Sequence, residues 1–142
     1  MGRATCARFA AEGASMFAAD LSEGGSLADA AGGADTFLPL AVTQKASVQC
    51  ALEEIGAQNA QLDIVVNAAG IEIEKTVKDT SLDEWNWIFR VNVTGMFLVS
   101  KYALLLLRKS EGARVVNLAL MIGLLPTPGW PHTAPPKGRY TL

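Results

Sequence analysis

The stretch that decides the fold is Asp63-Ile64-Val65-Val66-Asn67-Ala68-Ala69-Gly70. Three consecutive apolar residues rich in β-branched side chains predict a strand over Asp63–Asn67 buried on both faces, as in a parallel sheet. Ala68-Ala69-Gly70 turns the chain at its end. Working outward, Val48, Ala51, Leu52 and Ile55 fall at i, i+3, i+4 and i+7 and predict a helix over 46–58. Downstream, Ser81 and Glu84 form a capping box, and a long helix is expected from Leu82 to Arg108. Arg114–Leu118 reads as another strand. Upstream, Arg3–Glu12 is a short helix ended by Gly13, and Ser15–Ala19 is a strand closing on Asp20. A weak helix is expected over 26–31, then a strand over Phe37–Val42 that Pro39 makes irregular or places at an edge. Strands and helices alternate, which predicts an α/β domain with a parallel sheet and helices on both faces.

The chain has 142 residues, half of them apolar and 18% charged, the composition of one globular domain. A formal net charge of −2 with scattered basic residues gives no footprint for nucleic acid. Cys6 and Cys50 form neither a disulfide framework nor a metal cluster, and are expected to be small buried thiols in a reducing compartment. The start of the chain carries no continuous apolar leader. The runs Met96–Val99 and Tyr102–Leu107 are split by Ser100 and Lys101 and each falls short of a membrane span. The expectation is a soluble cytoplasmic protein with no membrane partner. Five of the six prolines lie beyond Gly123, so the chain is divided into a domain over 1–123 and a degenerate Pro-rich tail over 124–142.

Four segments, in order, resemble the short-chain dehydrogenase/reductase family. Gly2-Arg3-Ala4-Thr5, followed by Phe9 to Ala14, is similar to the helix after that family's glycine-rich loop. Asn67-Ala68-Ala69-Gly70 resembles its Asn-Asn-Ala-Gly turn, and Arg90-Val91-Asn92-Val93-Thr94-Gly95-Met96-Phe97 its central helix motif. Arg114-Val115-Val116-Asn117 resembles the strand that leads to the catalytic serine. The resemblance implies a Rossmann-like doubly wound sheet and hydride transfer between a nicotinamide dinucleotide and a small alcohol or ketone. It places Gly2, Asp20, Asn67, Ala68 and Gly70 at the cofactor, and Asn92 and Lys137 among the catalytic residues. Asp20 ends its strand 18 residues after Gly2, where a carboxylate bonds ribose hydroxyls and repels a 2′-phosphate. NAD is therefore favoured over NADP. Asn67 is expected to brace the turn.

The departures are as specific as the matches. Of the family's glycine loop only the last glycine, Gly2, is present, and the strand before it is missing, as are the later strands of the sheet. In this topology the first strand lies between Ser15–Ala19 and Asp63–Asn67. Those two strands would face a gap, each unpaired backbone group costing about 1–3 kcal/mol if dry. Ala41 stands where the family has an adenine-contacting aspartate. Leu120 occupies the catalytic serine position and Thr133 the tyrosine position, four residues before Lys137-Gly138. His132 is one step off, and Pro135 and Pro136 oppose the helix that would fix the spacing. Tyr140 follows the lysine in the wrong geometry.

Three readings follow. The first is an oxidoreductase of this family whose chain as written is inactive. The second is a non-catalytic remnant serving as a dimerisation or interaction module through the helix 82–108, which is apolar round more than one face. The third is the product of a misassigned start or frame.

Overall fold

The computed structural model describes residues 1–21 and 36–119. The helix expected over 26–31 and the tail beyond Gly123 lie outside them. Helix α1 (Gly2–Ala11) runs to Gly13, whose φ of 81° takes the left-handed turn that glycine accepts without strain. Strand β1 (Phe17–Asp20) pairs in parallel with β2 (Thr36–Pro39), with Ala18 opposite Phe37. Helix α2 (Lys45–Gln58) leads to β3 (Ile64–Asn67), which pairs in parallel with β4 (Arg114–Asn117) and sets Asn67 opposite Asn117. Between β3 and β4 runs one continuous helix in three parts: α3 (Leu82–Phe89), a π-helical segment (Arg90–Gly95) and α4 (Met96–Leu107).

Among the described residues the strands form two separate pairs, β1-β2 and β3-β4, with no ladder joining them. The α/β architecture is thus the expected one, with few strands present. β2 is shorter than the sequence suggested. The Leu40 amide still donates to the Asp20 carbonyl at 2.8 Å, but the next amide, Ala41, turns to the Ser47 Oγ at 2.9 Å. Pro39 sits as the last strand residue, where its missing N–H costs least.

The α2 stripe packs as its spacing requires, with Val48, Ala51 and Ile55 buried. Leu38, Ala51, Ile55 and Leu106 form the core cluster, flanked by Phe17, Leu40, Leu52 and Leu62. Cys50 points away from this stripe and is exposed, and Cys6 is half-buried, so neither thiol is the buried residue expected. β4 is exposed throughout, and Val115 and Val116, on opposite faces, are each more than 40% accessible. α1 buries no residue.

The continuous helix Leu82–Leu107 is long and apolar enough, by length and composition, to cross a membrane, which its interrupted apolar runs did not suggest. In this structure it is the frame of the domain. Val91, Gly95, Val99, Ala103, Leu106 and Leu107 form its buried face, and it packs on α2, β3 and β4. Gly95 is the closest approach. A Cβ built there would stand 2.8 Å from Val42 Cγ2 and 3.1 Å from Val42 Cβ, which no side chain tolerates. Gly95→Ala is expected to destabilise the fold by about 1–3 kcal/mol through overpacking. Adding Val42→Ala to the same chain should recover most of the loss in a thermal melt, because it removes the colliding methyls.

Candidate functional site

Both strand pairs deliver their C-terminal ends to one part of the long helix. Val42, past the end of β2, packs on Gly95, and one turn earlier Asn92 meets the turn that follows β3. The Asn92 side chain grips a single residue from two sides. Its Oδ1 accepts from the Ile71 amide at 2.8 Å, and its Nδ2 donates to the Ile71 carbonyl, also at 2.8 Å. A Cβ at Gly70 would lie 3.6 Å from Asn92 Oδ1, so the turn lies directly against this amide. The side chain at the expected catalytic asparagine is therefore engaged in holding backbone. Its π-helical setting, in which the usual helical bonding is re-phased, is common at functional sites.

Asn67 closes β3 and is buried, with 7% of its surface accessible. Its Nδ2 donates to Asn117 Oδ1 at 2.8 Å and to Ser100 Oγ at 3.2 Å. The Leu118 amide donates to the Asn67 carbonyl at 3.0 Å. Ala68 follows, then Ala69 and Gly70, both exposed. Gly2, the first residue of α1, touches this turn: a Cβ on it would come within 3.3 Å of Ala68 Cβ. The start of α1 therefore lies beside Ala68, and a helix N-terminus favours an anionic group. Asp20 is exposed at the end of β1, with Oδ1 accepting from the Leu21 amide at 2.7 Å and Oδ2 without a partner among the described residues.

Of the expected site residues, the structure thus brings Gly2 to Ala68, and Asn92 to Gly70. Asn67 lies immediately behind the turn, and Asp20 stands at the end of its own strand pair. Lys137, with Leu120, His132, Thr133 and Tyr140, lies outside the described residues. Two shallow clefts, one lined by Leu104, Leu107 and Arg108 and the other by Gln61, Asp63 and Lys109, sit at the opposite end of β3 and β4. They contain none of the site residues, and β-strand topology favours the carboxyl ends as the place for a ligand. Ser100 and Ser47 were missed in the sequence. Ser100 showed only as a polar interruption of an apolar run, and Ser47 gave no signal.

A profile of the short chain dehydrogenase family matches residues 1–137. The chain belongs to the short-chain dehydrogenase family. A cyclopentanol dehydrogenase of Comamonas sp. (strain NCIMB 9872) is 36% identical, the match covering all of this chain and 59% of that protein. A 3-oxoacyl-acyl-carrier-protein reductase of Escherichia coli (strain K12) is 31% identical over 96% of this chain and 57% of its own length. A mutant of a Serratia marcescens short-chain dehydrogenase/reductase superposes with a TM-score of 0.72 at 25% identity, over 80% of this chain and 48% of that one. This member of the family therefore spans less than two thirds of the relatives it matches.

The loop that leaves the site is anchored at the start of α3. Ser81 and Glu84 form the expected capping box: the Glu84 amide donates to Ser81 Oγ at 3.2 Å and the Ser81 amide to Glu84 Oε2 at 2.9 Å. Lys75, in mid-loop, forms an ion pair with the other Glu84 oxygen. The Lys75 hydrogen bond foremost, then those from Ser81, hold the Glu84 carboxyl down from its ordinary 4.5 to about 2. An acid depressed in the folded state contributes its full stability above its unfolded value and loses it as pH falls through the folded one. The melting-temperature gap between wild type and Glu84→Gln should accordingly be constant above about pH 5.5. It should shrink as the pH falls from 4.5 towards 2. A gap that is the same at acid and neutral pH would contradict the assignment.

Proposed function

We propose that this chain forms the dinucleotide-binding part of an NAD-dependent oxidoreductase acting on a small-molecule alcohol or ketone. The observation that carries the reading is the contact of Gly2, at the start of α1, with the Ala68–Gly70 turn at the carboxyl end of β3. The residues present suit such a group. Gly2 and Gly70 keep the surface low where a pyrophosphate and its sugars would lie, and the α1 amides favour negative charge. Asp20 offers ribose hydroxyls a carboxylate oxygen that no described residue engages, and its charge disfavours a 2′-phosphate, hence NAD over NADP. The bound dinucleotide would supply the hydride acceptor or donor. The names of the relatives, a dehydrogenase of an alcohol and a reductase of a ketone, agree with both directions of that transfer.

In this reading Asn67 braces the turn and Asn92 holds Ile71 behind the reacting centre. Lys137 would hold the ribose. No serine stands at 120 and no tyrosine at 133, so the chain as written binds the cofactor without turning over substrate. The free thiols Cys6 and Cys50 accord with a cytoplasmic setting. In calorimetry the full chain should bind NAD more tightly than NADP. Asp20→Asn should weaken NAD binding about tenfold, as expected for loss of a charge-assisted hydrogen bond. A full chain that takes up no NAD at millimolar concentration sinks the proposal.

The outer side of the long helix supports a homodimer as part of the same reading. Trp85, Phe89, Val93 and Phe97 follow one another every fourth residue and are all more than a third accessible, as is Leu104 further on. The Trp85 and Phe89 rings pack against each other, tilted by 34° with centroids 4.7 Å apart, an anchor for a symmetric contact. Sedimentation is expected to show a dimer that Trp85→Glu with Phe97→Glu converts to a monomer. A wild-type chain that sediments as a monomer at all concentrations removes this part of the proposal.

A further inference from the structure

We propose that Ser100 is a positioning residue: its hydroxyl holds the buried Asn67 amide and so sets the strand ends on which the dinucleotide turn is carried. The inference rests on the proposed function only for the purpose of that turn; the mechanical role stands on the hydrogen bonds themselves.

Asn67 has two N–H donors on Nδ2, and both are used, one by Asn117 Oδ1 at 2.8 Å and one by Ser100 Oγ at 3.2 Å. With only 7% of the residue accessible, neither donor has ready access to replacement water. Ser100 is the only member of this trio that lies on the helix, so its bond ties the β3–β4 pair to the element that packs on both strands. The same Asn67 accepts the Leu118 amide through its carbonyl, at 3.0 Å, so the exit of β4 is registered on one residue by backbone and by side chain. The next residue, Ala68, is the one that Gly2 touches. Rotation of the Asn67 side chain out of its site would therefore move the turn and the exit of β4 together.

Ser100 lies on the same continuous helix as Asn92 and Gly95, the residues that hold Ile71 and admit Val42. A hydroxyl between the apolar runs of the helix costs burial, and the bond to Asn67 offsets the loss. Nothing in the proposed chemistry requires Ser100 to touch substrate or cofactor, so its effect passes through Asn67.

The test compares Ser100→Thr with Ser100→Val, side chains of one shape that differ in the hydroxyl, in the full chain. Hydrogen exchange of the Leu118 amide reads the strand ends, and the α2 amides of Ala51 to Ile55 read global stability. The valine variant should exchange Leu118 about tenfold faster than the threonine variant, the size expected from one buried hydrogen bond, with α2 unchanged. NAD affinity by calorimetry should fall about fivefold with valine and be kept with threonine, a split that a general loss of stability would not produce. Equal Leu118 exchange in the two variants, or an equal increase across α2, overturns the proposal. If neither variant nor wild type binds NAD, the proposed function fails, and the exchange contrast alone decides the role of Ser100.

Discussion

One face of one helix holds this domain together. Four-residue strands in pairs are too short to be stable alone, and here each pair is tied to the long helix at a different height. Gly95 admits Val42 from the β2 side, Asn92 clamps Ile71, and Ser100 holds Asn67, while Ala103, Leu106 and Leu107 supply apolar contact further along. Spacings of three and four residues among Gly95, Val99, Ala103 and Leu106 keep the buried groups on one side of the helix, and Asn92 and Ser100 are half-buried beside them. The polar and small members cluster toward the end where the strands finish. The apolar members lie at the other end, over α2 and the core cluster.

That division explains why the candidate site is where it is. A ligand site needs exposed polar backbone on a rigid base, and apolar packing alone does not aim a turn. Two amide side chains provide the aim: Asn92 by gripping both backbone groups of Ile71, and Asn67 by spending both its donors inside the fold. Between them, Ala68 to Gly70 are held at both ends and left open at Ala69 and Gly70. The Lys75–Glu84 ion pair and the capping box continue this fixation into the loop that precedes α3.

The two unjoined strand pairs and the exposed faces of β4 are the other side of the same arrangement. In a parallel sheet a buried strand is bonded on both edges and covered on both faces. The described residues complete neither condition for β3 and β4, which accords with a chain that spans 59% of a relative's length. Val115 and Val116 are of the residue type that a covered strand uses, yet both are exposed.

The local pattern of the chain determined the elements. The β-branched run at Ile64–Val66, the stripe from Val48 to Ile55 and the Ser81–Glu84 capping box each carry their own structural instruction in adjacent residues, and each forms its element. The strand is not buried on both faces as expected: Ile64 is exposed, and Val65 and Val66 are half-buried. Four ordered motifs also made the family legible. Tertiary structure alone decided the rest, because it depends on partners far apart in sequence. Pairing of Asn67 with Ser100 joins residues 33 apart, and Asn67 with Asn117 joins residues 50 apart. The π-helical segment, the close approach at Gly95 and the exposure of Cys50 likewise depend on what packs against each position. A serine inside an apolar helix reads as an interruption until the amide it faces is known.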